Sequence, residues 1–75
     1  MEEALAASRQ AVELDPGNVA YVSDLGWTLV LAERYQEAEA ALLRATTMDL
    51  SNARARANLE YCREKIAKSQ RRHKV

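Results

Sequence analysis

Cys62 and His73 are the chain's single cysteine and single histidine. A zinc site needs several such ligands at close spacing, and an activated thiol needs a base or cation beside it. Carboxylates are plentiful, but Glu37 and Glu39 stand at i and i+2, positions that do not share a helix face. No glycine-rich phosphate loop and no nucleophile–base pair can be picked out. Neither catalysis nor a metal or cofactor is therefore expected. The side chains that could do chemistry are those of recognition. Trp27, Val30 and Leu31 stand at i, i+3 and i+4 and would form one apolar patch on a helix. The stretch Lys65 to Lys74 is rich in cations and could meet phosphates or an anionic membrane surface.

Those residues must be held by helices. Alanine supplies 14 of the 75 residues, glycine and proline together only three, and phenylalanine is absent. Alanine has the best helix propensity and lets helices approach closely, so the expected class is all-α. A domain of this size buries only about 60% of its unfolded surface and has a thin stability margin. Its lone cysteine rules out an internal disulfide and agrees with a reducing, cytoplasmic setting. No apolar run approaches the ~20 residues of a membrane helix, and MEEALAAS lacks the basic start of a signal peptide. The zero net charge hides an asymmetry. Residues 1–50 carry three basic and nine acidic side chains, a net of −6. Residues 51–75 carry eight basic and two acidic, a net of +6. The acidic body would repel a polyanion at close range, so nucleic acid is the disfavoured partner class.

Four helices are predicted. The first spans Glu2 to Leu14 and ends at Asp15-Pro16-Gly17-Asn18, where Pro16 disfavours helix in the residue before it and Gly17 can adopt positive φ. The second runs from Val19 to Glu33, with Val22, Leu25, Leu29 and Ala32 as one stripe. After a turn at Glu33-Arg34-Tyr35, the third spans Gln36 to Thr47, with Ala38, Ala41, Leu42 and Ala45 inward. The fourth begins near Ala53 and reaches Ser69, with Ala55, Leu59, Cys62 and Ile66 inward. Asn18 and Asn52 stand where N-caps belong. Cys62 lies on an apolar stripe and reads as an inert buried thiol. Residues 70–75 form a basic tail expected to be disordered.

The sequence repeats itself. A shift of 34 residues aligns Glu3 with Glu37, Ala4 with Ala38, Ala11 with Ala45, Asp15 with Asp49, Asn18 with Asn52 and Leu25 with Leu59. With this period, the Leu25-Gly26 pair, and Ala38 and Ala45 flanking a large Leu42, the chain resembles the tetratricopeptide repeat family. Val22, Leu29 and Leu50 stand where that family has an aromatic, a tyrosine and a closing proline. All three remain apolar, so packing should survive.

The resemblance implies antiparallel helix–turn–helix repeats in a short right-handed α-solenoid. Residues 1–69 would form the repeat domain: 2–18 the second helix of a partial repeat, 19–52 one full repeat, and 53–69 a capping helix. It implies a non-catalytic scaffold that holds a peptide or a partner's helix in a concave groove. Ala20, Ser23, Trp27, Val30 and Leu31 would line that groove from the full repeat, and Arg54, Ala57, Tyr61, Glu64 and Lys65 from the last helix. Trp27 and Tyr61, one period apart, should be neighbours. A subfamily that clamps acidic chaperone tails has Asn and Arg where this chain has Asp24 and Asn58, and an acidic groove residue repels a carboxylate. The first helix lacks its hairpin partner, and its uncovered face is expected to support a homodimer or to leave a marginal monomer.

Overall fold

The computed structural model describes residues 2–72. Four helices follow one another: α1 (Glu2–Leu14), α2 (Val19–Leu31), α3 (Tyr35–Met48) and α4 (Ala53–Arg72). Among the described residues there is no strand. The expected all-α repeat fold is what the chain adopts. Each helix packs against the next in sequence, and α2 also meets α4.

The 34-residue repeat is visible at the level of single hydrogen bonds. At the end of α1 the Asp15 amide donates to the Ala11 carbonyl (3.0 Å) and that of Asn18 to Asp15 (3.1 Å). One period later Asp49 donates to Ala45 (3.1 Å) and Asn52 to Asp49 (3.1 Å). Each asparagine then caps the following helix. Asn18 Oδ1 accepts from the Tyr21 amide at 3.3 Å, and Asn52 Oδ1 accepts from Ala55 at 3.0 Å. These caps satisfy amides that would otherwise lack partners at a helix start. Gly17 does not use its freedom: its φ is not positive, and a Cβ there would meet nothing within 4 Å. Ser51 holds the equivalent place in the second copy of the turn.

The α2–α3 turn differs from the expectation. The helix stops at Leu31, two residues early, because Glu33 takes a left-handed conformation with φ of 63°. The Arg34 amide reaches back to the Leu29 carbonyl and the Glu33 amide to Val30, both at 2.9 Å. This pair of bonds is the Schellman closure, which usually takes glycine at the left-handed position. A side chain there costs about 1–2 kcal/mol. Glu33→Gly is therefore expected to raise stability by about 1 kcal/mol, seen as a higher urea midpoint with an unchanged slope. At the other end of the chain, α4 runs three residues past its expected limit, through Arg72. The expected tail at 70–75 thus begins inside a helix, and residues 73–75 lie outside those described.

One cluster holds Leu5, Leu29, Val30, Ala38, Leu42, Leu59 and Cys62, and a smaller one holds Val22, Ala45 and Ala55. Residues from all four helices thus share the core. Leu42, Val22 and Cys62 are its largest fully buried side chains. Gly26 lets α2 and α3 come together, since a Cβ there would lie 2.5 Å from Leu42 Cγ. Ion pairs stitch the edges. Arg9 on α1 and Arg34 both reach Glu37, at 3.1 and 3.2 Å, and Arg63 reaches Glu39 at 3.1 Å. All of these side chains are more than a third exposed, so each pair contributes at most about 1 kcal/mol.

Candidate functional site

Residues one period apart on α2 and α4 lie side by side, because α4 repeats the placement of α2 one step along the stack. Trp27 and Tyr61 show this directly: their ring centroids are 5.7 Å apart with planes tilted by 58°. That separation is within the favourable range for aromatic pairs. The Lys65 ammonium sits 5.5 Å from the Tyr61 ring centre, a cation–π contact. Both rings remain part exposed, Trp27 at 37% and Tyr61 at 42%, so neither is absorbed into the core.

Two small clefts open beside the rings. One, of about 250 Å³, is lined by Asp24, Trp27, Arg54 and Asn58. The other, of about 240 Å³, is lined by Ala20, Ser23, Asp24, Asn52 and Arg54. They share Asp24 and Arg54, so together they form one polar trough leading to the aromatic pair. Asp24 and Asn58 stand one period apart, which is the signal that marks them as trough residues. Past the rings, a third cleft of about 380 Å³ is lined by Glu33, Tyr35, Lys65, Lys68 and Ser69.

The expected groove residues do not all reach this surface. Ala20, Leu31, Arg54, Ala57 and Glu64 are exposed, as are the two aromatics, and Lys65 is half-buried. Val30 is not available: it is 5% exposed and belongs to the core cluster with Leu5 and Leu29. The i+3 spacing from Trp27 carries it round the helix into the packed side. Ser23 is 3% exposed, and its hydroxyl oxygen has no hydrogen-bond partner. It therefore forms the floor of the trough, while Asp24 and Arg54 form its walls.

Cys62 is fully buried, and its thiol donates to the Tyr35 carbonyl at 3.1 Å. Burial pushes its pKa up, the Glu39 carboxylate adds to that, and the Arg63 guanidinium opposes it. A thiol held protonated in this way is a packing group and not a nucleophile. Among the described residues no three metal-binding side chains gather, and no helix is long and apolar enough to cross a membrane.

Hairpins related by a constant residue shift, with equivalent side chains ranked along one face, define a helical-repeat protein. Residues 1–60 match the tetratricopeptide repeat family, and the chain belongs to it. Repeats of this family are protein-interaction modules and generally non-catalytic. No curated protein and no solved structure gives a significant match.

Proposed function

We propose that this protein is a non-catalytic scaffold that grips an extended peptide or a partner helix across α2 and α4, with Trp27 and Tyr61 as its apolar anchor. The supporting observation is the half-exposed aromatic pair, flanked by a polar trough on one side and a basic cleft on the other. Folding leaves a large apolar area in water there, and aromatic side chains so placed are common binding hot spots. Ala20, Leu31, Arg54, Ala57 and Lys65 would form its rim, and Ser23 its floor. In this reading residues 2–18 complete a partial repeat, 19–52 are the full unit, and α4 is the first helix of a following one.

Trp27→Ala tests the reading. A partner captured by the wild-type protein should bind at least about tenfold more weakly to the variant, since a hot-spot truncation costs about 2 kcal/mol or more. Thermal unfolding should change far less, because Trp27 lies outside both core clusters. Unchanged binding with a core-sized loss of stability would refute the anchor and make Trp27 a packing residue.

A further inference from the structure

A cleft of about 390 Å³ lies between α3 and α4, lined by Thr46, Leu50, Arg56, Leu59, Glu60 and Arg63. Moved back by one period, these positions become Val12, Pro16, Val22, Leu25, Gly26 and Leu29. That earlier set is the bed on which α3 lies. Val12 and Val22 pack with Ala45, Leu25 and Leu29 with Ala38 and Leu42, the Pro16 carbonyl accepts from Arg44, and Gly26 faces Leu42. The cleft is thus a second bed for a helix of the α3 type, and no described helix fills it.

Its shape is selective. Glu60 stands where Gly26 admits Leu42, so a helix with a large residue at that point is blocked. One helix of the chain has the matching relief. α1 is the period equivalent of α3, and it carries Ser8 in the place of Leu42, with Ala4 and Ala11 in the places of Ala38 and Ala45. Ala38, Leu42 and Ala45 are fully buried in α3. On α1, Ala4 is exposed while Ser8 and Ala11 are only half-buried. Small residues on α1 are thus complementary in size to the long ones on α4, where in the α2–α3 hairpin the large residue meets glycine. Charge agrees with shape: α1 carries Glu2, Glu3 and Glu13 against Arg9, and the cleft carries Arg56 and Arg63 against Glu60.

We infer that this protein self-associates head to tail, with α1 of one copy lying in the α3–α4 cleft of the next. The contact is heterologous, so it propagates along a stack and does not close after two copies. It would also bring Tyr61 beside the next copy's Trp27, continuing the aromatic row. The inference stands independently of peptide binding.

Sedimentation velocity over a concentration series tests it. The weight-average mass of the wild type should rise with concentration, and more weakly at high salt. Ser8→Glu sets a carboxylate against Glu60 of the neighbour, and like-charge juxtaposition at an interface costs several kcal/mol. Association should fall at least about thirtyfold. Adding Glu60→Lys to the same chain should restore it. Ser8 is half-buried and touches Thr28, so circular dichroism must show that the helices persist. Ala4→Arg, at an exposed residue, should abolish association without that concern. A wild type monomeric at every concentration overturns the inference, as does association that survives Ala4→Arg. Failure of Glu60→Lys to rescue Ser8→Glu in a folded chain overturns the head-to-tail register.

Discussion

Gly26→Ala is expected to destabilise the protein by about 1–3 kcal/mol, the usual cost of overpacking a filled core. Propensity alone predicts the opposite sign, since alanine in a helix interior gains roughly 1 kcal/mol over glycine. Sterics decide the outcome. The new Cβ would lie 2.5 Å from Leu42 Cγ and 2.6 Å from its Cδ2, closer than real carbon contacts allow. Leu42 is fully buried and cannot swing into solvent, so either its rotamer or the α2–α3 spacing must give. Chemical denaturation of the variant beside the wild type measures the loss. A variant as stable as the wild type would mean that α2 and α3 can separate at little cost.

Leu42→Ala should be more damaging still. Truncating a fully buried leucine costs about 2–5 kcal/mol, through lost transfer energy and the cavity left behind. Cores of this size rarely supply more than a few kcal/mol in total, so the variant should be largely unfolded at room temperature. Loss of the cooperative thermal transition in circular dichroism is the readout. The two substitutions should not add. Gly26→Ala in the Leu42→Ala background meets space instead of a clash, so its cost should shrink or reverse. Additive behaviour in a double-mutant cycle would contradict the contact between the two residues.

Much of the architecture is legible in the sequence because period and turn chemistry act locally. The 34-residue shift pairs Asp15 with Asp49 and Asn18 with Asn52, and the structure builds the same hydrogen bonds at both places. The inward stripe of α3 is likewise written in Ala38, Leu42 and Ala45. The end of α2 is less legible. Nothing marks Glu33 as left-handed, since the usual residue there is glycine and the conformation is imposed by the Schellman closure. Val30 is missed for a different reason. Both sides of α2 are apolar, and sequence alone does not say which one α1 covers; Leu5 and Val30 share a core cluster, which places Val30 inside. The polar trough is only half legible. Asp24 and Asn58 are related by the repeat, yet their meeting with Arg54 depends on how α2 and α4 lie together.

The Arg63–Glu39 pair has a counterpart one period earlier in Leu29 and Leu5, which both belong to the main core cluster. The same junction is therefore sealed with oil near one end of the stack and with charge near the other. Apolar contact weakens on cooling and is little affected by dilute salt, whereas an exposed ion pair is screened by salt. The two copies of this junction thus answer to different features of their surroundings. At this junction alone, cold weakens the contact of α1 and ionic strength that of α4, while Arg9–Glu37 elsewhere gives α1 a salt-sensitive tie and Leu59 and Cys62 give α4 an apolar one.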